Sequence, residues 1–261
     1  MPATAQLDLA AALERYGPRL RAVAYQLVGA DADDVVQETF LRAVRKAHTF
    51  RAESEVGTWL HAILVRVALR HRRKRARGGP RLSLDAAMPI DEGVLADPRA
   101  RGYDPSSQTI RREATQAVQE AIARLPDAFR VPLVLKEIGE LPVEDVARIL
   151  RIKPQTVKTR VHRARMLLRG LLDSKLPRRR LPAAAYERRI CVDLLAAKQA
   201  ALDRGERVPL DGVTCERCRA VFATLDLGSR VCHDLARGDL PPALRRTILA
   251  EAAAWSKEPV E

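Results

Sequence analysis

Apolar residues recur at helical spacing along almost the whole chain, and this pattern constrains the fold more than any other feature. Three sets each share one helix face: Val36, Phe40, Ala43, Val44 and Ala47; Leu60, Ile63, Leu64 and Val67; and Val157, Val161, Ala164, Leu168 and Leu171. No sustained alternation of apolar and polar residues appears, so we predict an all-α fold without strands. Aromatic residues make up only 4% of the chain, so Leu, Val, Ala and Ile must fill the core.

Two segments rich in Gly, Pro or Arg interrupt the helical pattern. The first, residues 78–111, has four Gly and four Pro and no apolar stripe before Gln108. The second, residues 174–186, contains Arg178-Arg179-Arg180 and two prolines. We therefore predict helical domains over residues 8–77 and 112–173, joined by a flexible linker, and a small C-terminal helical domain over residues 187–257.

The net positive charge of the chain lies entirely in residues 1–182, which include the first two predicted domains. Lys and Arg number 46 against 33 Asp and Glu, which gives a net charge of +13, whereas residues 183–261 hold 12 basic and 12 acidic residues. A basic body predicts a nucleic-acid partner. No stretch approaches the ~20 apolar residues of a membrane span, and the N-terminus lacks the pattern of a secretion signal. We expect a cytoplasmic protein with no membrane partner.

Residues 142–171 fit a helix-turn-helix. Val143–Leu150 forms a short amphipathic segment, Arg151-Ile152-Lys153 a tight turn, and Pro154 suits the first position of a second helix. Such a second helix enters the major groove, where each base pair shows a distinct pattern of donors and acceptors. Its solvent side is predicted to carry Gln155, Thr156, Lys158, Thr159, Arg160, His162, Arg163 and Arg165.

A second basic helix is predicted from Leu60 to Arg77. It presents Arg66, Arg70 and Arg73, and Trp59 comes directly before it. Basic side chains that follow phosphates and rings that stack on bases are typical of single-strand binding. We therefore name Trp59 and these three arginines as candidate DNA-binding residues.

Together these segments resemble the extracytoplasmic-function group of the bacterial sigma-70 family. The segment that runs from Asp31-Ala-Asp-Asp34 through Gln37-Glu38-Thr-Phe40 to Ala43, with Thr58-Trp59-Leu60 after it, is similar to region 2 of that family. Leu125-Pro126 and the stretch from Pro142 to Arg165 resemble region 4. The resemblance covers roughly half of the chain.

The resemblance implies an RNA polymerase sigma factor, which directs promoter recognition and transcription initiation. Asp34, Gln37, Glu38 and Phe40 would dock on core RNA polymerase. Residues from about Phe50 to Thr58, with the helix after them, would hold the opened downstream promoter element as a single strand. The helix that begins near Gln155 would read the upstream element as duplex.

All four cysteines lie in the C-terminal domain, where they indicate metal or redox chemistry. Zinc takes four nitrogen or sulfur ligands. Cys191, Cys215 and Cys218 are three candidate ligands, and the fourth would be Cys232, His233 or Asp211. The domain also resembles the zinc-binding anti-sigma domain, with Asp211 where that family has a histidine. We therefore expect Zn²⁺ or another thiophilic metal here, and intramolecular regulation of the sigma regions by this domain.

The sequence also suggests two other functions. A helix-turn-helix regulator that never engages core polymerase is the alternative, but the acidic motif at 31–38 and the basic helix at 60–77 favour a sigma factor. A zinc enzyme needs an open metal position and a general base. The chain has no His-Glu-x-x-His, P-loop, Gly-x-Ser-x-Gly or Rossmann glycine motif, so we predict no enzymatic activity.

Overall fold

A computed structural model describes residues 8–47, 50, 55–75, 101–102, 108–175, 179–180, 183–206 and 213–255. These ranges contain ten α-helices, and the all-α fold class is confirmed. The helices are α1 (Leu9–Val28), α2 (Ala32–Arg45), α3 (Val56–Arg75), α4 (Gln108–Arg124), α5 (Asp127–Glu137), α6 (Val143–Leu150), α7 (Pro154–Lys175), α8 (Arg188–Arg204), α9 (Glu216–Leu235) and α10 (Pro242–Trp255). Most of the predicted linker at 78–111, and the candidate ligand Asp211, lie outside the described residues.

Local chemistry accounts for where several helices begin and end. The Asp8 carboxylate caps α1 by accepting the backbone N–H of Ala11 at 3.0 Å. Helix α2 has Asp33 and Asp34 in its first turn and Arg42 and Arg45 in its last, which matches the helix dipole at both ends.

One very short strand pair accompanies the helices. Arg101–Gly102 pairs antiparallel with Arg179–Arg180. Two residues are too few to produce a visible alternation in the sequence, and both segments fall within predicted linkers. The pair does not change the helical character of the fold.

The chain divides into two compact units. Unit 1 comprises residues 1–81, 131–157 and 233–261. Its core is the packed set of α1, α2 and α3, against which α6 and α10 lie. The largest fully buried side chains there include Leu13, Leu20, Phe40, Leu60 and Leu64.

Unit 2 comprises residues 82–130 and 158–232. It contains α4, most of α7, and α8 with most of α9. One of its cores is a cluster of Cys191, Cys218, Val221, Phe222 and Leu225, on which Met166 of α7 packs. Each unit thus combines segments of several predicted domains, and the domain boundaries remain a sequence-based prediction. Within the described ranges, no helix has the length and apolar character needed to cross a membrane.

Candidate nucleic-acid interface

The predicted helix-turn-helix has the expected local geometry. Helix α6 ends at Arg151, whose φ of 56° and ψ of 45° place it in the left-handed region. Its N–H bonds to the carbonyl of Ala147, and the N–H of Ile152 bonds to the same carbonyl at 3.1 Å. The tight turn therefore forms with arginine at a position that usually favours glycine. Pro154 begins α7, as its sequence position predicted.

The candidate base-reading residues on α7 differ in exposure. Gln155 and Lys158 are exposed, whereas Thr156, Thr159, Arg160 and Arg163 are half-buried. The opposite face of the helix is buried: each of its apolar side chains is at most 3% exposed, namely Val157, Val161, Ala164 and Leu168. The amphipathic reading of this helix is thus confirmed, and its first turn offers the most accessible polar side chains.

The middle of α7 is tied to α8 within unit 2. Arg165 donates to an Asp203 carboxylate oxygen at 2.8 Å and to the Gln199 side chain at 3.1 Å. His162 contacts the other Asp203 oxygen through Nε2 at 2.9 Å. Arg165 is only 5% exposed, so its expected place on the solvent side was wrong. A residue from the C-terminal part of the chain covers it.

Asp203 is held in its charged form by these partners. Burial raises the pKa of this carboxyl, but the hydrogen bond from His162 and the charge and hydrogen bond of Arg165 outweigh burial and lower the pKa below its ordinary value. The carboxylate side chain, 10% exposed, is therefore a negative charge placed against the recognition helix.

The basic helix α3 remains partly accessible. Arg66 and Arg73 are exposed, whereas Arg70 is half-buried and bonds to Glu38. Trp59 is half-buried, with its ring centroid 5.3 Å from that of Phe50 at an interplanar angle of 52°. Trp59 therefore has an aromatic neighbour at the start of the helix.

The four candidate polymerase-docking residues of α2 fall in three different environments. Asp34 is exposed, and Gln37 and Glu38 are half-buried. Phe40 is 0% exposed and belongs to the core of unit 1, so it is not available for docking in this structure. The helical spacing of Phe40 with Val36 already indicated a core position, and packing decides in favour of that reading.

Glu38 lies at the centre of a charge cluster. One oxygen of its carboxylate accepts a hydrogen bond from the Arg42 guanidinium at 2.9 Å, and the other lies 3.1 Å from Nε2 of His71. The carboxylate also pairs with Arg70. Burial raises the pKa of Glu38, but the hydrogen bond from His71 and the charges of Arg42 and Arg70 lower it below its ordinary value. Glu38 therefore joins the candidate polymerase surface on α2 to the basic side chains of α3.

Helix α10 packs on α1 and α2 within unit 1. Gln37 donates to Glu251 at 2.8 Å, and Arg245 pairs with Glu14 at 2.5 Å. The segment before α10 also approaches closely, since a Cβ built on Gly17 would lie 2.8 Å from a methyl carbon of Leu240. One of the candidate docking residues, Gln37, is thus already engaged by the end of the chain.

Three of the candidate metal ligands come together in unit 2. The sulfurs of Cys191 and Cys218 lie 3.9 Å apart, and the Cys215 side chain contacts Cys218. Cys232 is 14 residues beyond Cys218 on α9, about 21 Å along the helix at 1.5 Å per residue, so it does not join them. His233 contacts Glu140 at 2.7 Å in unit 1.

Among the residues that the structure describes, no group of three or more His, Cys, Asp or Glu side chains is arranged to hold a metal ion. The predicted fourth ligands Cys232 and His233 are therefore not part of the cluster, and the described residues do not complete a zinc site.

The thiols of the Cys-x-x-Cys motif are electrostatically different. Partial burial raises the pKa of Cys215, but backbone hydrogen bonds at Ala185, Cys218 and Arg217 and the Cys218 side chain lower it below its ordinary value. Burial, together with the hydrogen bond and charge of Cys215, raises the pKa of Cys218 to about 12. None of the four cysteines forms a disulfide. Cys215 is therefore the thiol with the stronger thiolate character of the two.

Comparison with known proteins supports the helix-turn-helix and the basic helical domain together. The family model Sigma-70 region 2 matches residues 12–78, and Sigma-70, region 4 matches residues 115–168. The chain is 33% identical over 161 residues to the ECF RNA polymerase sigma factor SigW of Bacillus subtilis (strain 168), covering 60% of this chain and 84% of that relative. The chain belongs to the ECF RNA polymerase sigma factors.

Other members of the family are similarly related to this sigma factor. It is 31% identical over 153 residues to the ECF RNA polymerase sigma-E factor of Haemophilus influenzae (strain ATCC 51907 / DSM 11121 / KW20 / Rd), covering 55% of this chain and 75% of that relative. A solved structure of the sigma factor RpoE in complex with the anti-sigma factor NepR from Bartonella quintana has 27% sequence identity and a TM-score of 0.47, covering 64% of this chain and 97% of that one.

The family assignment gives names to the elements already described. Region 2 contains α1, α2 and α3, and region 4 contains most of α4, α5, α6 and the greater part of α7. This sigma factor accordingly binds DNA and acts in transcription initiation with RNA polymerase. Neither family model reaches α8, α9 or α10.

Sequence reasoning missed the residues through which the C-terminal helices contact the sigma regions. Asp203, Gln199 and Glu251 are ordinary polar residues on amphipathic helices and form no motif. The sequence signal for such contacts was the zero net charge of the C-terminal domain, which follows a strongly basic N-terminal part of the chain. That signal predicts acidic contacts but does not identify the residues.

Proposed function

We propose that this ECF sigma factor is regulated in cis by its C-terminal tail, residues 187–257, which holds promoter-binding and polymerase-binding surfaces in a covered state. The family comparison carries the sigma-factor function itself. The observation that carries the regulation is the contact of Asp203 with Arg165 and His162 on the recognition helix.

On region 4, the tail places a carboxylate where DNA would place a phosphate. An Arg side chain on a recognition helix is suited to neutralise a phosphate. In the covered state Asp203 takes the place of the phosphate against Arg165 and also contacts His162, and α8 shields this part of α7 from the duplex. The tail therefore competes with DNA for the same side chains.

On region 2, the tail covers a different function. Helix α10 engages Gln37 of α2, and the segment before it packs on Gly17 of α1. A polymerase surface that includes Gln37 cannot form until α10 leaves. Because the tail is covalently attached, its effective concentration is high and weak contacts suffice to keep it in place.

The thiol cluster supports redox control of the tail. A peroxide oxidises the Cys215 thiolate to a sulfenic acid with loss of hydroxide, and a second thiol, Cys218 or Cys191, then attacks the sulfenic sulfur to form a disulfide and release water. Oxidation of Cys215 also removes the negative charge that contributes to the raised pKa of Cys218. A disulfide requires about 2.05 Å between sulfurs, so a bond from Cys215 to Cys218 or Cys191 would repack the cluster against which Met166 of α7 lies.

Metal control is the second candidate. Cys191, Cys215 and Cys218 supply the sulfur donors that a soft metal such as Zn²⁺ prefers. The described side chains do not form a group of three that would hold a metal ion, so binding would require these thiols to move. Of the three candidates for the fourth ligand, Cys232 and His233 lie away from the thiol cluster, and Asp211 lies outside the described residues. Binding would also require loss of the thiol protons.

The test compares run-off transcription with core polymerase by the full chain, by a full-chain double variant Asp203→Asn and Glu251→Gln, and by residues 1–176. Each is assayed as reduced protein, after peroxide, and with added zinc. We expect little activity from the reduced full chain and more from the double variant. Peroxide and not zinc should activate the full chain if redox control is right, and the reverse result would favour metal control. Equal activity of all three proteins in every condition would reject control by the tail.

The alternative function, a helix-turn-helix regulator that never engages polymerase, receives no support from the family matches. A zinc enzyme receives none either, because sigma factors are not enzymes. Transcripts from any promoter in the assay above would exclude the first alternative directly.

A further inference from the structure

The two sigma regions also contact each other directly in unit 1, without the tail between them. Thr58, the third residue of α3, donates its hydroxyl to Asp145 of α6 at 2.9 Å. Thr58 is only 4% exposed. The side chain of Asp145 is 19% exposed, and its other oxygen bonds to Arg148 at 2.8 Å. A residue at the start of the strand-binding helix is thus buried against the first helix of the helix-turn-helix.

A second contact joins the same two regions close by. Arg19 of α1 pairs with Glu140 at 2.5 Å, in the corner between α5 and α6. Glu140 has a φ of 52°, a left-handed conformation that residues other than glycine rarely adopt. The preceding Gly139 is required sterically, because a Cβ there would lie 2.6 Å from the carbonyl oxygen of Leu135. The corner that presents Glu140 to region 2 is therefore tightly specified.

These contacts affect the two ends of α3 differently. Arg66, Arg73 and Lys74, towards its C-terminal end, are exposed to solvent. The beginning of the helix is covered by α6, whose acidic Asp145 also repels phosphate. A single strand can meet the far end of α3 in this state, but it cannot reach Thr58 until α6 has moved away.

We propose that the contacts of Asp145 with Thr58 and of Glu140 with Arg19 form a latch between regions 4 and 2. This latch blocks capture of the single strand in addition to the tail, which itself holds the other oxygen of Glu140 through His233. The latch rests on the proposed function, because it assumes that the start of α3 binds opened DNA. It adds a second barrier to activation: release of the tail frees α2 and α7, whereas the start of α3 becomes available only when the latch opens.

The chain offers a closely matched control. Glu144 precedes Asp145 in the first turn of α6 but is exposed. Glu144→Gln and Asp145→Asn therefore remove the same charge from the same helix end, and only the second replaces the charged acceptor of the Thr58 hydroxyl with a weaker, neutral one. Arg148→Gln removes the other partner of Asp145 while leaving Thr58 in place.

The experiment measures the affinity of the full chain for a short fluorescein-labelled single-stranded DNA of mixed sequence by anisotropy at fixed salt. Replacing the charged acceptor of this hydrogen bond with a neutral one shifts the opening equilibrium by up to about tenfold, so Asp145→Asn should tighten binding by up to about tenfold. Glu144→Gln and Arg148→Gln should bind within about twofold of the parent, because exposed charges contribute little. Glu140→Gln, a second variant that weakens the contact with Arg19 together with the contact of the tail's His233, should also tighten binding.

Circular dichroism and melting curves establish whether each variant is folded. If Asp145→Asn does not fold, Glu140→Gln still tests the latch. Equal binding by Asp145→Asn, Glu140→Gln and Glu144→Gln would overturn the latch. Failure of the proposed function would look different: the full chain and every variant would start no transcripts with core polymerase. A chain that transcribes but shows no difference among the variants would reject the latch alone.

Discussion

Removing the charge of Asp203 should release the recognition helix. Asp203→Asn preserves the shape of the side chain but replaces the carboxylate that Arg165, 5% exposed, contacts at 2.8 Å with a neutral amide. Arg165 retains its bond to Gln199, and asparagine retains one carbonyl acceptor. Taking away one partner of a buried ion pair costs about 3–5 kcal/mol, and these retained bonds place the present case near 3 kcal/mol.

That magnitude predicts a large change in DNA binding. At 1.4 kcal/mol per tenfold, about 3 kcal/mol shifts the equilibrium between covered and open α7 by about a hundredfold. The affinity of the full chain for labelled duplex DNA should rise by up to that factor and level off once the open state dominates. The pKa of Asp203 is lowered in the covered state, so its stabilising contribution is fully present above the ordinary carboxyl range and disappears only as the pH falls below it. Measurement at neutral pH therefore captures the whole effect.

The control lies on the same helix. Asp193 of α8 is exposed, and Asp193→Asn makes the same change in net charge. Fluorescence anisotropy at fixed salt should show a large gain for Asp203→Asn and a change within about twofold for Asp193→Asn. Equal gains for both would mean that net charge alone governs binding, and the argument from the buried pair would be refuted.

Three further predictions concern the other surfaces. Glu251→Ala removes the acceptor of Gln37 and should increase binding of the full chain to core polymerase in a pull-down titration, whereas Asp239→Ala, at an exposed position before α10, should not. Phe40→Ala should destabilise the protein by about 3–5 kcal/mol in urea unfolding because its side chain is fully buried. Asp34→Asn, which loses only an exposed charge in the first turn of α2, should cost less than about 1 kcal/mol. Iodoacetamide should alkylate Cys215 before Cys218, because the lowered pKa of Cys215 leaves more of it as thiolate. For the same reason, the rate of alkylation at Cys215 should rise at a lower pH than for an unperturbed thiol. Peptide mapping that found Cys218 modified first would contradict this assignment.

Local patterns in the sequence were sufficient for the helices and for the turn between α6 and α7. Helical periodicity depends on neighbours three and four residues apart, so the buried stripe at Val157, Val161 and Ala164 could be predicted from the sequence. Pro154 and the short turn before it placed the start of α7. The same local reading kept Cys215 and Cys218 together, because they belong to one helical turn.

The tertiary structure alone decided which surface covers each polar face. Gln37 and Glu251 are 214 residues apart in the sequence, Thr58 and Asp145 are 87 apart, and Arg165 and Asp203 are 38 apart. Periodicity shows that a helix has a face to bury but does not show which other helix packs on it. Phe40 illustrates this limit, since its sequence pattern was compatible with both a core stripe and a docking surface. The separation of Cys232 and His233 from the thiol cluster has the same origin: the rise of α9 carries them away from Cys218, and only the packed chain shows that His233 meets Glu140 instead.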